Sequence, residues 1–236
     1  MSIGDILKKL QKEILFLLFI LVLLLTFLSV RKAIATSNRA SFVYIDVGHG
    51  GFDGGATSLD GTILEKDVTL EVATYVANYL TKTGIKVKMT RTTDKALAQN
   101  KKEDMHKRVN LINESTCDIY VSIHANAYSA SSIKGAQTFY NSFNLENEQF
   151  ATTIMKYLQL IDSDNKRVAK NITGKYLLDY TKKVGCIVEI GFLTNPFDLE
   201  LLTNKEKKEA LAKMIYLGIL DYLEEKNHER SSIENK

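Results

Sequence analysis

Three short apolar runs constrain this chain more than any other feature: FVYIDV (42–47), DIYVSIH (118–124) and CIVEI (186–190). Each is too short for a stable helix. Each is apolar on consecutive positions, the pattern of a strand covered on both faces. The segments between them change period. Val68, Val72, Val76, Tyr79 and Leu80 recur at helical spacing within Glu65–Leu80, and Gly84 then marks a stop. Met105, Val109 and Ile112 mark a second helix, residues 149–160 a third and residues 210–223 a last one. Further strands are expected at 86–90, at 136–140 and, briefly, at Tyr176–Tyr180. Strands alternating with helices predict an α/β fold: a single domain with a mostly parallel twisted sheet and helices on both faces.

The N-terminus reads differently. ILFLLFILVLLLTFLSV (14–30) carries no charge and would form a helix roughly 25 Å long at 1.5 Å per residue, just short of a bilayer core. Lys8, Lys9 and Lys12 precede it, and Arg31 and Lys32 follow. Residues 1–35 therefore read as a signal-anchor or a signal peptide, with Ala33-Ile34-Ala35 in the form of a cleavage site. A polar linker, 36–41, leads into the folded domain, 42–223, and a charged tail, 224–236, is expected to fray.

The formal net charge is only +3, from 31 basic and 28 acidic side chains, which gives no electrostatic basis for nucleic-acid binding. Two cysteines are too few for a disulfide scaffold or a cysteine-based zinc site, although Cys117 and Cys186 could pair if their strands were neighbours.

In parallel sheets, sites gather at the carboxyl ends of strands. That rule selects His49 past the first strand, Glu65 at the opening of the first helix, His124 at the end of DIYVSIH, and Glu189 in CIVEI. Two histidines and a carboxylate can hold Zn²⁺ and leave a position for water; a further carboxylate can take that water's proton. Each residue also has a plainer reading. His49 could be incidental in its glycine-rich loop. Glu65 could simply complement the helix dipole. His124 could be a satisfied core histidine. Glu189 is hardest to dismiss, because an acid between Val188 and Ile190 must be paired, liganded or protonated. His106 and His228 read as solvated helix residues. GHGGFDGG (48–55) fits neither the dinucleotide fingerprint nor a Walker loop.

DVGHGGFDGGA (46–56), LEKDVTLEVA (64–73), DIYVSIHANA (118–127) and VEIGFLTNP (188–196) together resemble the zinc-dependent N-acetylmuramoyl-L-alanine amidases, over about residues 42–223. The small germination-specific cortex amidases of spore-forming bacteria are the most similar group. The resemblance implies that His49, Glu65 and His124 bind zinc and that Glu189 is the catalytic acid/base. Asn126 is a candidate substrate-binding residue; Asn126 and Arg108 could equally be structural. Val47 stands where many members have Pro. The segment from His124 to Lys134 is too short for the blocking helix that some members insert there.

The implied reaction is hydrolysis of the amide between the lactyl group of N-acetylmuramic acid and L-alanine. In the cortex, the stripped muramic acid would go on to muramic-δ-lactam. Implied too are an extracytoplasmic location at the forespore–cortex boundary and a spore lipoprotein partner. A zinc peptidase acting within the stem peptide and a non-catalytic wall-binding protein remain the alternatives.

Overall fold

The computed structural model describes residues 41–234, together with the isolated positions Gly4 and Leu18. The hydrophobic leader and the linker up to Ala40 lie outside the described residues. Among the described residues, no helix is long and apolar enough to cross a membrane.

The strands are β1 (Phe42–Val47), β2 (Lys86–Met89), β3 (Ile119–Asn126), β4 (Gln137–Tyr140), β5 (Lys170–Asn171) and β6 (Val184–Phe192). The helices are α1 (Glu65–Lys82), α2 (Lys101–Glu114), α3 (Leu145–Leu158), α4 (Tyr176–Tyr180), α5 (Pro196–Thr203) and α6 (Lys205–Glu234). One six-stranded sheet runs in the order β2-β1-β3-β6-β4-β5. β1 pairs in parallel with β2 and β3, and β3 with β6. β4 runs antiparallel to β6, so the sheet is mixed at one side.

The pleat sorts the three apolar runs into two cores. Val43, Ile45 and Val47 of β1, Val121 and Ile123 of β3, and Cys186, Val188 and Ile190 of β6 face α1, α3 and α6, in a core that holds Val72, Ile154 and Ile215. Phe42, Tyr44, Tyr120 and Ile187 face the other way, against Val109 and Ile112 of α2 and Leu177 and Leu178 of α4. This second core admits a ring only because its neighbour lacks a side chain: a Cβ at Gly185 would overlap the Tyr120 ring.

Three elements differ from expectation. Tyr176–Tyr180, expected as a strand, is a short helix in which Asp179 N–H donates to Lys175 O and Thr181 N–H to Leu177 O. Gly174 N–H donates to the Asp179 carboxylate, which closes the turn on itself. Residues beyond Leu223, expected to fray, continue α6 through Glu234, where Lys226 bridges Glu146 of α3 and Glu229. The segment after β6 forms a separate helix, α5, capped by the Asn195 side chain with Pro196 in its first turn. The two cysteines are both buried free thiols, not a disulfide.

Candidate active site

The second face of the sheet changes character along its strands. Tyr44 and Tyr120 are apolar; one step further, Asp46 and Ser122 are register partners, and Ser122 Oγ donates to Asp46 Oδ2 at 2.6 Å. One step further again, His124 and Glu189 are register partners across β3 and β6. All of these residues lie near the carboxyl ends of parallel strands, as the sheet rule requires.

Glu65 reaches this edge from the first residue of α1. The start of that helix is tied to the glycine-rich loop: Glu65 N–H donates to Ala56 O and Lys66 N–H to Gly54 O, which satisfies helix donors without a side-chain cap. In return the Glu65 carboxylate accepts from Ala56 N–H at 2.7 Å and from Ala125 N–H at 3.0 Å. Its two oxygens then face the two histidines, with Oε1 2.9 Å from His124 Nδ1 and Oε2 3.1 Å from His49 Nε2. One donor atom each from His49, Glu65 and His124 lies within 4.8 Å of the others, a group that could hold a metal ion. Two nitrogen donors and one carboxylate form a set suited to Zn²⁺.

The approach is close enough to need glycine. Gly55 has φ +72°, and a Cβ there would sit 2.7 Å from His49 Cδ2 and overlap Glu65 Oε2. His49 itself has φ 58°, a left-handed conformation that costs a non-glycine residue of order 1 kcal/mol. Two buried guanidinium groups hold the backbone in this shape. Arg108 donates to the carbonyls of Val47 and His49, and Arg91 to that of Gly48 at 2.8 Å. Arg108 is in turn paired with Asp46 at 2.9 Å and with Asp104. His49 Nδ1 lies 2.9 Å from Asp53 Oδ2, so a carboxylate orients the ring from behind.

The electrostatics divide the two glutamates. Burial pushes the Glu65 carboxyl up, but the hydrogen bonds and charges of His124 and His49 more than offset it and hold Glu65 below the usual range. Burial would lower His124, and Glu65 reverses that, so His124 is raised. Glu189 is raised by burial, with His124 opposing only in part. Its Oε2 is buried without a hydrogen-bond partner. A buried acceptor left unsatisfied is rare and points to a function.

All four residues predicted from strand ends thus meet in one cleft of about 430 Å³, and Asn126 also lines it. Asn126 Oδ1 accepts from Ala127 N–H and its carbonyl accepts from Leu193 N–H, which ties β3 to the chain after β6. His106 is not simply solvated: its ring stacks on Tyr176 at 4.9 Å, and Tyr176 stacks on Tyr180, joining α2 to α4 along the cleft wall. Sequence reasoning missed Asp53 and Arg91, and named Arg108 without its partners Asp46 and Asp104. The spacing of His49 and Asp53 within the loop was the available signal for the first. The arginine contacts go to backbone carbonyls and leave no motif.

Fold and site together define an α/β protein with a two-histidine, one-carboxylate group and a buried, unpaired glutamate at one sheet edge. The family model described as N-acetylmuramoyl-L-alanine amidase matches residues 43–221. The chain is 44% identical over 192 residues to the germination-specific N-acetylmuramoyl-L-alanine amidase of Bacillus subtilis, covering 78% of this chain and 80% of that protein. The CwlD amidase from Clostridioides difficile, solved in complex with the GerS lipoprotein, superposes with a TM-score of 0.75 at 31% identity, over 78% of this chain and 98% of that one. An N-acetylmuramoyl-L-alanine amidase from Clostridium difficile 630 gives 0.72 at 30% identity, over 79% and 98%. The chain belongs to the N-acetylmuramoyl-L-alanine amidase family and is an enzyme of that kind.

Proposed function

We propose that this chain hydrolyses the amide between the lactyl group of N-acetylmuramic acid and L-alanine, with Zn²⁺ held by His49, Glu65 and His124 and with Glu189 as acid/base. The observation that carries the reading is the unpartnered Oε2 of Glu189, buried in the same cleft as a donor group that fits zinc. Zinc bound there supplies a Lewis acid for the amide carbonyl and lowers the pKa of water.

The chain's own residues do the rest. Glu189 Oε2 accepts the proton of the attacking water. Burial, which raises its carboxyl, makes it a stronger base than an exposed glutamate. The same atom then returns the proton to the departing amine of L-alanine. Glu65, held ionised by both histidines and two backbone N–H groups, keeps the two rings in register. Asp53 holds the far nitrogen of His49, and Asn126 shapes the cleft beside Ala127. Substrate contact by Asn126 belongs to the same proposal.

The germination-specific relative supports spore cortex as the substrate, with formation of muramic-δ-lactam following removal of the stem peptides. The GerS complex of the neighbouring structure supports a lipoprotein partner. The uncharged run at 14–30 supports an extracytoplasmic site, reached by export or by anchoring. The test is mass spectrometry of purified peptidoglycan after digestion by the full chain, with zinc, with chelator, and with Glu189→Gln. Free stem peptides beginning at L-alanine, seen only with zinc and intact Glu189, are expected. L-alanine left on the glycan would identify a peptidase and overturn the reading.

A further inference from the structure

We infer that Lys101 and Lys175 make the cleft selective for stem peptides that carry a free carboxylate next to the L-alanine, over those in which that group is amidated. The inference rests on the amidase reading and concerns how the same cleft grips the peptide side of the bond.

The four polar residues of the site occupy one side of the cleft. The rest of the wall is apolar, with Met105, Phe139, Ile172 and Ile187. Among the described residues, two lysines line it, Lys101 at the start of α2 and Lys175 just before α4. Lys101 is 68% exposed and forms only a long ion pair, 3.4 Å from Asp53 Oδ2, an oxygen it shares with His49 Nδ1 at 2.9 Å. Lys175 is exposed, and its charge acts on the Glu189 carboxyl across the cleft.

Both are mounted on fixed backbone. Lys101 follows Asn100, whose side chain caps α2. Lys175 precedes Tyr176, which is clamped between His106 and Tyr180, and the Lys175 carbonyl accepts from Asp179 N–H. The cleft's own carboxylates cannot satisfy them. Glu65 is fully used by the histidines and backbone, and half-buried Glu189, with its Oε2 sealed, meets Lys175 only through its charge. One weakly paired and one exposed ammonium group on an otherwise apolar wall suit an anion from the ligand. The peptide side of the scissile bond provides one. Where the residue after L-alanine is a glutamate joined through its side chain, its backbone carboxylate stands free one residue from the reacting amide. Amidation removes that charge and leaves the shape.

The experiment uses the full-length zinc-loaded chain and two synthetic glycan substrates carrying L-Ala-D-Glu with its side-chain carboxyl capped as an amide, one with the backbone carboxylate free and the other with it as carboxamide. Lys101→Met, Lys175→Met and the double variant keep side-chain length on exposed positions, so folding is preserved. Wild type is expected to favour the carboxylate by about tenfold in kcat/KM, the scale of one charged hydrogen bond, expressed in KM. The double variant should bring that ratio to about one, with the loss falling predominantly on the carboxylate substrate. A wild-type ratio near one, a ratio that survives in the double variant, or an equal loss on both substrates would overturn the inference. Calorimetric titration with the same two side-chain-capped L-Ala-D-Glu peptides, free of glycan, reads the same preference without turnover. If wild type cleaves neither substrate, the amidase reading fails, and the titration still decides the role of the lysines.

Discussion

His124 and Glu189 stand opposite each other on adjacent parallel strands, so two residues far apart in sequence share one face at one height of the sheet. A candidate metal ligand and the proposed proton carrier are therefore held at a separation set by backbone pairing, not by a loop. The expected consequence is that they can be dissected independently. Glu189→Gln should lower turnover by about 10²- to 10⁴-fold, the usual worth of a general base, while leaving bound zinc unchanged by elemental analysis. Loss of zinc in that variant would place Glu189 among the ligands instead.

Gly55→Ala is expected to weaken metal binding rather than folding. The added methyl meets Glu65 Oε2 and the His49 ring at a backbone angle that alanine resists. A loss of about tenfold or more in zinc affinity, measured by competition with a chelating dye, is the scale found when a ligand's support is disturbed. Unchanged affinity would show that the loop has slack which the structure does not display.

The Asp46–Arg108 pair predicts a particular acid limb. Burial raises the Asp46 carboxyl, but Arg108 and its hydrogen bonds more than compensate, so its folded pKa lies below 3.8. A lowered folded pKa contributes stability that is fully present above the unfolded value and is lost as pH falls through the folded one. Denaturant unfolding should therefore show stability declining below about pH 4 in the wild type. Asp46→Asn should be less stable at neutral pH, by about 3–5 kcal/mol because a buried Arg108 is stripped of a partner, and its acid limb should be shallower. Parallel limbs in the two proteins would remove Asp46 as the cause.

Cys117 and Cys186 are both buried, and burial pushes both thiols up. A thiol reagent should find neither in the native protein and both, two per chain, in denaturant without reductant. No reactive thiol after denaturation would reveal a disulfide.

The sheet and the convergence of the four candidate residues in one cleft were legible because each rests on a period or a position. Apolar runs gave β1, β3 and β6, and strand ends gave His49, His124 and Glu189. Glu65 shared a helical face with Val68 and Val72. What stayed hidden depends on partners distant in sequence. YLLDY reads as a strand by composition, yet packing of Leu177 and Leu178 against α2 and β6 makes it a helical turn. The residues after Leu223 are polar by count, but Lys226 finds Glu146 on α3. Arg91 and Arg108 act on carbonyl groups, which every residue possesses, so no residue pattern announces them.

The candidate ligands come from three separate places: the loop after β1, the first turn of α1 and the end of β3. Residues 49–65 hold two of them, but His124 and the Ala125 N–H that supports Glu65 come much later, with a separation of 60 between Glu65 and Ala125. A nascent or threaded polypeptide consequently offers metal nothing better than scattered imidazoles. Capture waits until α1 has docked and β3 has inserted beside β1. On the proposed zinc mechanism, competence to cut is tied to completion of the sheet, and an unfinished molecule is inert.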